Sequence, residues 1–215
     1  MRRRSIFCFI AATMGLAVLA LPHPILAAET IENAEPFIRS LTDQAIATLS
    51  DQSLDASARR ENMIRMLDES FALDSIGRWV LGRYRSRATA EQEAEYLRLF
   101  RLSVIAFMTT TLRKYSGENM IFTGSLEDGP GGTMVVSRIK QTGGRPFEII
   151  WRIQQTDSGL KIVDVLAGGL SLAKTRRDDY ASTIRRVGGD MDAFLEILRG
   201  KLEPANDASV SSSGG

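Results

Sequence analysis

PFEIIWRIQQTDSGLKIVDVLAGG, residues 146–169, carries the clearest alternating pattern of the chain. Phe147, Ile149, Trp151 and Ile153 point one way, and Glu148, Arg152 and Gln154 point the other. A period of two with one apolar side marks a strand that buries a single face. Asp157, Ser158 and Gly159 supply turn chemistry, and a second β-rich run follows at 160–167. Two more such runs come earlier, at 120–126 and 133–140. Turn residues again separate them: Asp128-Gly129-Pro130-Gly131-Gly132 and Thr142-Gly143-Gly144. Short turns between consecutive strands predict a four-stranded antiparallel meander with one face buried.

Helical periodicity frames this sheet on both sides. Within 32–49, Phe37, Leu41, Ala45 and Leu49 recur every four residues, one stripe of an amphipathic helix. Segment 57–71 places Ile64, Leu67 and Phe71 on one face. Asp74 is a candidate N-cap for a short helix carrying Ile76, Trp79 and Val80. Thr89 and Gln92 fit a capping box, which predicts a long helix stopping at Gly117. Its apolar face holds Tyr96, Leu97, Phe100, Val104, Phe107, Met108 and Leu112. Gly168 and Gly169 predict a tight corner into helices at 172–187 and 191–202, the second capped by Asp190. Helices segregated from an antiparallel sheet define the α+β class, here helices packed on a twisted sheet. Residues 29–202 read as one domain. Residues 203–215 lack an apolar pattern and read as a disordered tail.

Residues 1–28 read as a secretory leader, with Arg2, Arg3 and Arg4, then an apolar run, Pro22, Pro24, and small residues at Ala27 and Ala28. Cleavage is expected after Ala28, with Ala27 the next choice. It removes Cys8 and His23, the only cysteine and histidine of the 215 residues. The remaining chain holds no Cys or His nucleophile–base pair, no imidazole proton shuttle near neutral pH and no Cys/His zinc site. Shape and apolar burial are what it has to work with, which points to a binder or carrier. Charge excludes another class. Past the leader, 24 basic residues face 26 acidic ones, a net charge of −2 with no positive excess to hold nucleic acid.

Two stretches carry a family likeness. Phe71-Ala-Leu-Asp-Ser-Ile-Gly-Arg-Trp-Val-Leu-Gly-Arg-Tyr84 is followed by Thr89-Ala-Glu-Gln-Glu93 and a Phe-containing helix. Later, Lys161-Ile-Val-Asp-Val-Leu-Ala-Gly-Gly-Leu-Ser-Leu172 leads into Thr175-Arg-Arg-Asp-Asp-Tyr180. From about residue 34 to 202 the chain resembles the MlaC, or toluene-tolerance, family of periplasmic phospholipid-binding proteins. The resemblance implies a soluble periplasmic carrier that shuttles phospholipid between the outer and inner membranes and so serves outer-membrane lipid asymmetry. It also implies partners: an outer-membrane lipoprotein complex at one end and the lipid-binding subunit of an inner-membrane ABC transporter at the other. The lipid is cargo, no cofactor or metal is implied, and a monomer is expected. A sibling branch linked to hopanoid pathways stays open. Two features depart from the family pattern: the Arg176-Arg177 pair and the Gly-rich Ala167-Gly168-Gly169.

The expected lipid cavity lies between the sheet and the long helix. Its wall is read as Trp79 and Leu81 on the short helix and Phe100, Val104, Phe107 and Met108 on the long one. Phe122, Met134, Val136, Phe147, Ile149 and Trp151 on the strands complete it. Arginines form two further groups: Arg78, Arg83, Arg85 and Arg87 around Trp79 and Tyr84, and Arg176, Arg177, Arg185 and Arg186 beyond the sheet. A guanidinium grips phosphate in a bidentate way, so either group suits a lipid head group or an anionic membrane. The competing reading is a solvated face balanced by Glu91, Glu93, Glu95, Asp178 and Asp179. Two rival classes remain: an isomerase or hydrolase pairing Asp164 with Tyr84 or Tyr115, and an adaptor whose core is filled and holds no ligand.

Overall fold

The computed structural model describes residues 31–112, 120–140 and 146–210. The leader, Tyr115, Gly117, the turn at 142–144 and the last five residues lie outside the described residues. Helices α1 (Ala34–Ser50), α2 (Ala56–Ser70) and α3 (Leu73–Leu81) come first. A 3-10 segment (Gly82–Arg87) then leads into α4 (Ala90–Leu112). Strands β1 (Met120–Glu127), β2 (Gly132–Ile139), β3 (Phe147–Thr156), β4 (Gly159–Ala167) and β5 (Leu170–Ser171) follow, then α5 (Leu172–Arg186) and α6 (Met191–Val210).

Side-chain caps form at α2, α4 and α6, those of α4 and α6 as expected from sequence. At α4, the Thr89 amide donates to Gln92 Oε1 at 3.0 Å, and the Gln92 amide donates back to Thr89 Oγ1 at 3.2 Å. The backbone amides of Asp192 and Ala193 donate to Asp190 Oδ1 at the start of α6. Asp55 accepts from the Ala58 amide at α2. At α3 the cap position falls on Ala72 and Asp74 lies inside the first turn, where its charge still complements the helix dipole. Helix α6 continues to Val210, past Leu202, into the segment expected to be a tail.

The sheet is an antiparallel meander in the order β1-β2-β3-β4-β5, five strands rather than four. The extra strand is two residues long, too short to show a period. Gly168 and Gly169 take φ of 56° and 83°, and Ala167 pairs with Leu170 across them. Positive φ at both central residues is what a two-residue type I′ hairpin requires, and glycine adopts it at little cost. The expected corner is therefore a hairpin that turns β4 back before α5 begins.

Two hydrophobic cores form, one on each side of α4. The first seals α1 and α2 onto the sheet, with Ile38, Leu41, Met63 and Leu67 against Val135, Trp151, Ile153 and Ile162. The second lies among α3, the 3-10 segment, α4, α5 and α6, around Tyr96, Phe194, Tyr180 and Ile184. Burying each such side chain contributes about 1.5–3 kcal/mol, so both cores are needed for a stable domain. Ile76 and Val104 border both. Helices α3 and α4 approach closely at Gly77, where an added Cβ would lie 2.8 Å from Leu97 Cδ2 and 3.1 Å from Phe100 Cδ1. The Tyr96 hydroxyl donates to the Gly77 carbonyl at 2.9 Å and holds that contact.

Candidate functional site

Where the two cores meet, side chains leave a cavity of about 230 Å³, open to solvent on one side. Helix α4 supplies Phe100, Val104, Phe107 and Met108 to its wall. Phe71, Leu73 and Ile76 close it at the start of α3, while Leu172 and Ala173 close it from α5 and Val165 from β4. Asp164, Thr175, Arg176 and Asp179 add the polar part of the lining. Phe107 remains 41 % exposed although it faces this space.

The polar side of the cavity is built by one buried carboxylate. Asp164 on β4 is 8 % exposed and accepts from its neighbour's amide at Val165, 2.8 Å away. It also accepts from the Ala173 amide at 3.1 Å and from the Ser171 hydroxyl. Ser171 Oγ in turn accepts from the Lys174 amide at 2.9 Å and caps α5. An anion at a helix N-terminus is favoured by the unpaired amides there. Asp164 therefore fixes where α5 starts and which of its residues face the cavity. Arg176, one turn on, lays its guanidinium over the Tyr180 ring at 5.7 Å. Among the described residues it forms no ion pair with a carboxylate.

An apolar slot with a cation and carboxylates on one side suits a flexible amphipathic chain: hydrocarbon inside, polar end at the wall. The fold that carries it has known counterparts. The family model described as MlaC protein matches residues 39–200, most of the chain. The chain belongs to the MlaC family. Toluene tolerance protein ttg2D of Pseudomonas putida is 22% identical over 212 residues, 98% of this chain and 95% of that protein. The fold is also similar to the structure of a phospholipid-binding protein from Ralstonia solanacearum, solved in complex with a phospholipid. The TM-score is 0.69 at 19% identity, covering 80% of this chain and 98% of that one, a likeness of fold.

In this MlaC-family chain the structure gathers Phe100, Val104, Phe107 and Met108, four residues of the α4 stripe, around one space. It places the other expected wall residues elsewhere. Trp151 and Ile149 face α1 and α2 in the first core, and Trp151 Nε1 donates to Ser137 Oγ at 3.0 Å. Phe122 packs beside that core under the Arg39 guanidinium, 4.2 Å from its ring. Met134 and Val136 alternate with the buried Thr133, Val135 and Ser137 and so take the opposite sheet face. Phe147, at the strand start, is 39 % exposed, and Leu81 is buried in the second core. Trp79 is 47 % exposed with Arg177 stacked on it at 4.6 Å. For Phe122, Ile149 and Trp151 the reason is the same: α1 and α2 already cover that side of the sheet.

No α5 residue was assigned to the cavity wall from sequence, although Leu172, Arg176 and Asp179 fall at i, i+4 and i+7 on one helical face. The acid–base pair considered for an enzyme is not assembled by the described residues. Tyr84 sits in the second core and its hydroxyl accepts from Arg83 at 3.2 Å, with no hydrogen bond to Asp164. The arginines divide into two kinds. Arg78 and Arg85 both pair with Glu93, as a balanced solvated face requires. The remaining six of the two groups form no ion pair with a carboxylate among the described residues.

Proposed function

We propose that this chain is a periplasmic phospholipid carrier, with acyl chain held in the cavity between α3, α4 and α5 and the head group at the Arg176–Asp179 side. The observation that carries this reading is the unfilled apolar space at the seam of two otherwise complete cores. Family membership and the phospholipid in the Ralstonia structure support the cargo class. The leader-like first 28 residues support export to the periplasm.

The physical requirement is easily stated. A diacyl lipid exposes roughly 30 methylene groups, each costing about 0.8 kcal/mol in water, so its hydrocarbon opposes transit by about 24 kcal/mol. A carrier must shield most of that and still let go. The space of about 230 Å³ lies below the ~300–1,000 Å³ of ordinary ligand sites. It accepts part of an acyl chain as it stands. A whole lipid needs the walls to part where the two cores meet, and the pliable Met108 and half-exposed Phe107 sit there. In the proposed cycle the carrier loads and unloads at an outer-membrane lipoprotein complex and at the lipid-binding subunit of an inner-membrane ABC transporter, and so serves outer-membrane asymmetry.

The test is direct. The chain without its leader, purified free of detergent and then denatured, is extracted and its small molecules identified by mass spectrometry. Phospholipid in near-equal amount with protein is expected. A hopanoid in its place would move the cargo to the sibling class, and a well-folded but empty protein would remove the carrier reading in favour of an adaptor.

A further inference from the structure

Helices α3 and α5 run side by side out of the cavity wall and end in an unbalanced basic face. Arg177 lies over the exposed Trp79 ring at 4.6 Å and close against Gly82, where a Cβ would meet its Nη2 at 3.0 Å. Arg83 and Arg87 stack on Tyr84 at 5.1 and 5.6 Å, and Arg185 lies beside the same hydroxyl. Arg186 donates to Thr183 Oγ1, and Arg176 stands at the cavity wall one residue from Arg177. None of these six guanidiniums pairs with a carboxylate among the described residues. Elsewhere Arg39, Arg98, Arg101, Arg138, Arg152 and Arg199 each do, while Arg59 donates to backbone carbonyls and Arg65 to Asn62 Oδ1.

Rings rather than carboxylates hold Arg83, Arg87 and Arg177, and Arg185 lies beside the Tyr84 hydroxyl, so N–H groups of all four remain for a phosphate. We propose that this face, Trp79 with Arg83, Arg87, Arg177 and Arg185, docks on the phosphate layer of an anionic bilayer. Trp79 favours a lipid surface over an acidic protein, because a half-exposed indole suits the boundary between head groups and hydrocarbon. Continuity favours it too. The same two helices carry Ile76, Leu172 and Arg176 into the cavity, so docking sets the cavity wall beside the membrane. Charge supplies the orientation. With this much positive charge on one face and a net charge of −2 past the leader, the rest of the surface is acidic and is repelled by the same bilayer. Only the purpose of that placement rests on the carrier reading; docking itself needs no cargo.

The chain without its leader is floated at low salt with phosphatidylcholine vesicles, with and without phosphatidylglycerol, while tryptophan emission is followed. Its two tryptophans make this readable, since Trp151 is buried and Trp79 reports. Flotation and a blue shift are expected only with phosphatidylglycerol, falling as salt rises. Each arginine near an anionic surface is worth about fivefold in binding, so R83Q/R87Q/R185Q loses about a hundredfold. Those three side chains are exposed, and unchanged melting and unchanged co-purified lipid show that fold and cargo are intact. R83K/R87K/R185K keeps most of the binding, and R138Q, in a paired site on the sheet, keeps all of it. The proposal is overturned if the unaltered chain ignores phosphatidylglycerol vesicles at low salt, an outcome that points to an acidic protein partner. It is equally overturned if the glutamine variant floats as well as the parent.

Discussion

Glu95 ties the second core together from outside. Its carboxylate accepts from Arg98 at 2.7 and 2.9 Å and from Arg199 on α6 at 3.0 Å. The hydrogen bond from Arg98 is the main reason its carboxyl is held at about 2 instead of 4.5; partial burial opposes the shift, and Arg199 adds to it. A folded-state value below the unfolded one stabilises the protein above about pH 4.5, and that contribution fades as pH falls toward about 2. We therefore expect E95Q to be less stable than the parent at pH 7 and to flatten the acid limb, with melting temperatures that converge toward pH 2.5, measured by circular dichroism. Other residues were legible by type but not by place. Asp164 reads from sequence as a candidate enzyme base, and in the structure it is a buried carboxylate hydrogen-bonded within the protein. That it also anchors the first turn of α5 depends on Ser171 and Ala173 folding back across a hairpin, which no single-residue property announces.

Helix α4 is the element on which both cores and the cavity depend. Its start was readable because a capping box is chemistry between neighbours, Thr89 with Gln92, and needs nothing distant. Replacing Thr89 by Ala removes the acceptor for one orphan amide and should cost about 1 kcal/mol, read as a lower urea midpoint at unchanged slope. An unchanged midpoint would mean that tertiary contacts alone hold the first turn. The strands were equally readable, since alternation in residues 147–153 and the turn residues at 157–159 are local. Strand β5 was not. Two residues carry no period, and only pairing with Leu166 and Ala167 makes them a strand. Nor could the face of each strand be assigned a neighbour. The bulge between Phe122 and Gly124 shifts the β1 register, so apolar residues on either side of it do not share a face.

At the scale of the molecule, the cavity is the gap left between two cores that are each well filled. Val104 borders both cores and lines the gap, so a larger side chain there should occupy it at little cost to the fold. V104F is expected to displace two or three methylenes of bound chain, about 2 kcal/mol, and so to lower lipid retained through purification about thirtyfold. Phosphorus assay of the detergent-free protein measures it, and a lipid content equal to the parent's would place the cargo elsewhere. The basic face belongs to this scale too, because Arg83 and Arg185 lie about a hundred residues apart in sequence and converge only when α3 and α5 pack side by side. By itself the sequence determined what backbone geometry and local chemistry impose: the change of period, the caps and turns, the α+β class, and a chain past residue 28 without cysteine or histidine. Tertiary structure alone decided which apolar stripes become core and which line a space. Periodicity sets the direction of a side chain, whereas a cavity is a difference between volumes contributed by distant elements. Here α1 and α2 fill the sheet face around Val135, Trp151 and Ile153, and apolar room remains where α3, α4 and α5 meet.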